Sequence, residues 1–128
     1  MTRSTPRVLV VDAEPLVRWA LRETLSGAGF EVVEMAPDPP FPLVDGIDVL
    51  VLDATLAAGG ALRVLEHVRA LNPYCRVVLL TSFDAVGLAR LTDGSPRWRA
   101  VQKPFELPAV VQVVSELAQP VGARTPKA

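Results

Sequence analysis

Three short, unbroken apolar runs limit what this chain can fold into: RVLVV at 7–11, DVLVL at 48–52 and RVVLL at 76–80. A strand with one face in water alternates apolar and polar residues, whereas continuous Val and Leu marks a parallel strand covered on both faces. EVVEM at 31–35 is a less apolar fourth candidate, and RAVQ at 99–102 a fifth. Between the first two runs, Pro15 to Ala28 sets Leu16, Val17, Ala20, Leu21, Thr24 and Ala28 along one helical side and stops at Gly27 and Gly29. Gly60 to Leu71 carries Ala61, Val64, Leu65, Val68 and Leu71 on one face, and Asn72 with Pro73 ends it. His67 falls off that face and reads as a solvated histidine rather than a ligand. Pro108 suits the first turn of a last helix lined by Val110, Val113, Val114 and Leu117.

Two stretches are less regular. APDPPFPLVDG at 36–46 holds four prolines where the alternating order expects a helix, so at most one short helical turn is expected there. DAVGLARLTDG at 84–94 has a poor apolar stripe and an internal glycine, which predicts a weak helix. Strands alternating with helices imply an α/β doubly wound parallel sheet with right-handed crossovers. Such sheets bind ligands beyond the carboxyl ends of their strands, where strand order reverses.

A chain of 128 residues with 50% hydrophobic and 21% charged residues fits one domain with a real core, here 1–118, and the patternless QPVGARTPKA at 119–128 reads as a tail or linker. Thirteen basic against fourteen acidic residues give a net charge of -1, no footprint for nucleic acid or an anionic membrane. Cys75 starts an apolar run and reads as a small packing residue in a reducing compartment. No apolar run approaches the length of a membrane span and MTRSTPR lacks the apolar stretch of a signal peptide, so a cytoplasmic location is expected.

The strand ends present Asp12, then Asp53, then Thr81 with Ser82, then Lys103 with Pro104. Any one of these is commonly a cap or turn residue. Two carboxylates, a hydroxyl and an ammonium on one sheet edge are harder to explain that way.

With these residues the chain resembles the receiver domains of bacterial two-component response regulators, from about Arg7 to Leu117. VLVVD, the buried strand ending in Asp53, the Thr81-Ser82 pair and the Lys103-Pro104-Phe105 turn stand in that family's order and near its spacing. The resemblance implies a flavodoxin-like five-stranded parallel sheet of order 2-1-3-4-5, and the proline segment at 36–46 predicts that its second helix is reduced here. It implies that Asp53 is a phosphoacceptor, attacking a phosphohistidine of a histidine kinase or phosphotransfer protein to give an aspartyl phosphate in a phosphorelay. Lys103 would neutralise charge on the phosphoryl oxygens, Thr81 would follow them with its hydroxyl, and the small Ser82 would leave the route open. Mg2+ would be held by Asp12, Asp53 and the backbone carbonyl of Thr55, with Glu14 a further candidate. Such a domain is not a turnover enzyme; at most it catalyses its own phosphorylation and dephosphorylation. The Lys103–Pro104 bond is expected to be cis.

Several positions depart from the family pattern. Ala13 stands where a second acid normally ligates Mg2+, which should weaken the site, and Glu14 beside it need not point into the same pocket. Leu56-Ala57 and Gly60-Ala61 replace the usual loop after Asp53, removing a proline that stiffens it. Ala100 replaces the aromatic residue that couples to the switch threonine. These changes open a second reading, a degenerate receiver that binds partners without phosphate. A third, a hydrolase with Asp53 as transient nucleophile, lacks the second carboxylate because Ala54 and Thr55 follow Asp53. Trp19, between Arg18 and Arg22 and opposite the apolar face, is a candidate docking anchor for the phosphodonor. Trp98, read as a loop residue before the last strand, would either plug a local gap or join the last helix in a dimer or output contact; direct nucleic acid binding is not expected.

Overall fold

The computed structural model describes residues 5–56, 59–82 and 97–118. Five strands, β1 (Arg7–Val11), β2 (Glu31–Met35), β3 (Val49–Asp53), β4 (Arg76–Thr81) and β5 (Trp98–Gln102), form one sheet of order β2-β1-β3-β4-β5, and every neighbouring pair is parallel. The described helices are α1 (Pro15–Gly27), α2 (Gly60–Leu71) and α3 (Leu107–Ala118). This is the expected doubly wound architecture and strand order. Relative to the apolar runs, the strands leave out Asp48 and take in Asp53, Thr81 and Trp98.

Side chains alternate across the sheet. Leu9, Val11, Leu50, Leu52, Val77 and Leu79 meet Val64 and Val68 of α2 on one face. Val8, Val10, Val49, Val51, Val78 and Leu80 meet Leu21 and Leu25 of α1 and Val110, Val114 and Leu117 of α3 on the other. All five residues of the central β3 are buried, hence its unbroken apolar composition. β2 and β5 are edges with mixed exposure, which is why EVVEM and WRAVQ carry polar residues.

Pro15 opens α1 with the φ that a first helical residue needs and no amide to leave unpaired. The chain leaves that helix through Gly29 at φ 102, a conformation other residues rarely adopt. Residues 36–48 contain neither helix nor strand. Asn72 fixes this segment: its Oδ1 accepts the Ile47 amide at 2.8 Å, and its Nδ2 donates to the carbonyls of Val44 at 2.8 Å and Val68 at 3.0 Å. At the segment's end the Arg7 amide donates to Asp48 Oδ2 at 2.8 Å. Asn72→Ala strands the Ile47 amide and the Val44 carbonyl, while the Val68 carbonyl keeps the backbone amide of residue 72, so the domain should lose about 2 kcal/mol in a urea unfolding experiment. An exposed loop without this anchor would lose almost nothing.

Three expectations need correction. Leu16 is 74% exposed and Ala28 is exposed, while Leu25, absent from the expected stripe, is fully buried. The buried side of α1 is set by its packing on β1, β2 and α3, where Leu21 and Leu25 join the core of that face. His67 is half-buried rather than solvated: its ring lies 5.1 Å from that of Phe41, and Nε2 is 2.8 Å from the Pro42 carbonyl. The irregular proline segment provides a wall there that a helix-face argument does not see. Trp98 begins β5 rather than lying in a loop before it; it is 7% exposed, with the Arg69 guanidinium 4.9 Å over its ring, and of the two roles considered for it the gap-filling one holds. Trp19, by contrast, is 54% exposed. The expected weak helix at 84–94, the tail at 119–128 and Ala57 in the loop after Asp53 lie outside the described residues. Among those described, no helix is long and apolar enough to cross a membrane.

Candidate functional site

Strand register brings the candidate residues to one edge. Val11 of β1 pairs with Leu52 of β3, so Asp12 and Asp53 follow side by side. Asp53 pairs with Leu80 and Leu80 with Val101, which puts the chain after β5 beside Asp53 one strand removed. The Lys103 amide donates to the Thr81 carbonyl at 2.8 Å, and the Lys103–Pro104 bond is cis as expected. From there Lys103 Nζ reaches 3.2 Å from Asp53 Oδ1 and 3.7 Å from Asp12 Oδ2.

Both carboxylates are sealed from bulk water, Asp12 fully and Asp53 to 4% exposure. Each sits in a tight turn of its own making. Asp53 Oδ1 accepts the Thr55 amide at 2.9 Å and the Thr55 hydroxyl at 2.6 Å, in addition to Lys103. Asp12 Oδ1 accepts the Glu14 amide at 2.9 Å. Asp12 Oδ2 is buried with no hydrogen-bond partner among the described residues.

These surroundings push the two acids apart. Burial raises the Asp12 carboxyl above its ordinary value, with the neighbouring Asp53 charge adding to it, and the Glu14 amide and Lys103 only partly offset the rise. Burial opposes ionisation of Asp53 as well, but there the Thr55 hydroxyl and amide together with Lys103 outweigh it and bring the carboxyl below its ordinary value. Asp53 is therefore an ionised, hydrogen-bonded oxygen base, and Asp12 is a carboxylate short of positive charge.

Thr81 ends β4 fully buried, and Ser82 is exposed at the mouth. Glu14 is exposed and contributes its amide; among the described residues no group of three or more His, Cys, Asp or Glu side chains is placed to hold a metal ion, so Glu14 does not join the acid pair. Ala13 and Ala100 are exposed. Two acceptor-only carboxylates, one with an orphaned buried oxygen, still suit a hard cation such as Mg2+, which takes one or two carboxylates and completes its shell with water.

Two contacts escaped sequence reasoning. Thr55 was expected to offer a backbone carbonyl; its hydroxyl also engages Asp53, which an Asx turn with Thr two residues on could have suggested. Arg18 of α1 reaches back so that Nη1 donates to the Asp12 carbonyl at 2.6 Å. Nothing in the local pattern distinguishes it from a solvated helix arginine.

No protein-family model matches the chain. The probable transcriptional regulatory protein TcrX of Mycobacterium tuberculosis is 36% identical over 129 residues, which cover 92% of this chain and 52% of that protein. A cyclic di-GMP phosphodiesterase of Thermotoga maritima is 26% identical over 101 residues, 78% of this chain and 27% of that protein. The chain thus spans at most about half the length of these two curated relatives. Among solved structures, a response regulator receiver protein from Sinorhizobium medicae superposes with a TM-score of 0.71 at 22% identity, covering 94% of this chain and 98% of that one. The Vibrio cholerae chemotaxis protein CheY4 does so with 0.74 at 21% identity, covering 89% and 99%. In strand order and fold the chain matches the receiver domains of response regulators, and over most of its length its sequence is similar to a transcriptional regulatory protein.

Proposed function

We propose that this domain serves phosphorelay signalling by accepting a phosphoryl group on Asp53 from a histidine kinase or phosphotransfer protein in the cytoplasm. The observation that carries the reading is one ammonium, Lys103 Nζ, within 3.2 and 3.7 Å of two buried carboxylates at the strand-end edge. In the transfer, an Asp53 oxygen forms a bond to phosphorus as the P–N bond of the donor phosphohistidine breaks, and the imidazole leaves with its electron pair and is protonated. All three hydrogen bonds to Asp53 from described residues land on Oδ1, which leaves Oδ2 for bond formation. Lys103 compensates charge as it spreads over the transferring oxygens, where electrostatic stabilisation contributes most. Thr81 ends the neighbouring strand β4, and its hydroxyl would serve as a donor to the product. Asp12, Asp53 and the Thr55 carbonyl would hold Mg2+, which when bound supplies the positive charge that a single lysine does not.

Acetyl phosphate with Mg2+ should give a phosphoryl adduct by intact-protein mass spectrometry, and Asp53→Ala should give none. An adduct that persists in Asp53→Ala, or no adduct in the native chain at high Mg2+, would remove Asp53 as the acceptor. The second outcome favours the degenerate receiver, a phosphate-independent binding module, to which Ala13 and the two-acid pocket lend weight. The hydrolase reading loses ground, because the residue two beyond Asp53 is a threonine bonded to it and not an acid. For the partner surface, the exposed Trp19 with Arg22 on α1 is retained and Trp98 is not.

A further inference from the structure

Asp12 is the less stabilised of the two acids, yet its placement is tightly defined. The Glu14 amide holds Oδ1 at 2.9 Å, which turns the other oxygen, Oδ2, toward Lys103 and Asp53. The main chain of the same residue is gripped from behind. Arg18 Nη1 donates to the Asp12 carbonyl at 2.6 Å, and the Arg18 amide donates to the Glu14 carbonyl at 3.1 Å. The guanidinium is anchored at its other side, where Nε lies 3.6 Å from Glu34 Oε1 on β2, and its side chain is only 17% exposed. Helix α1 and edge strand β2 are thereby tied to the turn that aims Asp12.

This tie matters more here than it would beside an acidic pair. Ala13 supplies no carboxylate, so the turn after β1 offers the pocket one acid, and cation affinity depends on where that single side chain points. A charge-assisted bond to a main-chain carbonyl is stronger and more directional than a neutral one. We propose that Arg18 is a positioning residue that aims the Asp12 carboxylate into the cation pocket, an inference that rests on the reading of Asp12 and Asp53 as a hard-cation site.

The sign of one substitution separates positioning from charge. Arg18 is a cation close to a site for cations, so if it acted only through its charge its removal would tighten divalent binding. If it positions Asp12, removal weakens binding despite the lost repulsion. Mn2+ alone serves as the probe, with the EPR signal of the free ion as readout. Arg18→Met keeps the apolar stem and should weaken Mn2+ binding about tenfold, the lower end of what loss of an outer-shell partner costs. Arg18→Lys should recover part of the affinity, and Glu34→Gln, which frees the far side of the guanidinium, should weaken binding to a smaller extent.

A metal-free readout accompanies it. Amide exchange at Glu14, whose N–H holds Asp12 Oδ1, should speed up in Arg18→Met while buried amides of β3 keep their native protection. Should Arg18→Met fail to fold, Arg18→Lys and Glu34→Gln carry the same comparison. Equal or tighter Mn2+ binding in the variants, with Glu14 exchange unchanged, overturns the positioning role and leaves the cation site standing. No Mn2+ binding by the native chain overturns both.

Discussion

Lys103→Ala is expected to slow phosphoryl uptake from acetyl phosphate about 100-fold or more, the scale of losing one preorganised charge at a transition state. It is also expected to lower stability at pH 7 by about 2 kcal/mol. Nζ lies between Asp12 and Asp53, and without it two buried anions face each other. Breaking a fully buried ion pair costs about 3–5 kcal/mol, but Lys103 is 24% exposed and Asp12 can relieve the repulsion by taking a proton. The pH dependence follows from Asp53. Its carboxyl is below the ordinary 3.8 when folded, so it contributes stability above 3.8 that is lost as pH falls through the folded value. Removing Lys103 shrinks that contribution, so native and variant should converge in acid. Stopped-flow phosphorylation and urea titrations across pH measure the two effects. A variant that loses rate but shows an unchanged stability profile would mean that Lys103 does not neutralise the pair in the resting protein.

Asp12→Asn is expected to do the opposite to stability and the same to function. Burial is the largest influence on Asp12 and holds its carboxyl above 3.8. An acid raised in this way costs the fold nothing below 3.8, where it is protonated folded or unfolded; the cost sets in as pH rises above 3.8, where the unfolded chain ionises, and is complete above the folded value. Asparagine can still accept the Glu14 amide while carrying no charge, so the domain should gain about 1–2 kcal/mol at pH 7, and the gain should fade in acid. Divalent binding should fall at least tenfold, since a neutral amide oxygen replaces one of two carboxylates. Thermal unfolding at two pH values, paired with Mn2+ titration, reads both. Destabilisation at pH 7 would show that the bond to Lys103 outweighs the cost of burial. Such an exchange of stability for charge is common at functional sites, where polar groups are held for chemistry rather than for the fold.

The sheet was legible because its signal is local. An unbroken Val and Leu run can be satisfied only by cover on both faces, so β1, β3 and β4 announced themselves, and the order of acids, hydroxyl and lysine at their ends pointed to the edge that carries the site. Helix existence was legible too, through glycine and proline stops. Helix phase was less so: Leu16 and Leu25 both sit near the boundary of the apolar stripe, and only the elements packed against α1 decide that Leu25 is buried and Leu16 is not. His67 was misjudged, and Trp98 was set in a loop instead of at the start of β5, for a related reason, since each is covered by residues distant in sequence, Phe41 and Arg69.

Read without coordinates, the chain determines its own class and the chemical identity of its site residues, because strand-length apolar runs and the residues that end them are properties of short segments. Tertiary structure alone decided the state of those residues. The same side chain, aspartate, is held ionised at 53 by Thr55 and Lys103 and left short of charge at 12, and the difference arises from bonds made across three strands and one helix. Ala13 shows the division most clearly. Its identity signals a missing ligand, but that Glu14 turns outward, that its amide aims Asp12, and that Arg18 grips the turn from behind are consequences of packing, set by how α1 and β2 meet the end of β1.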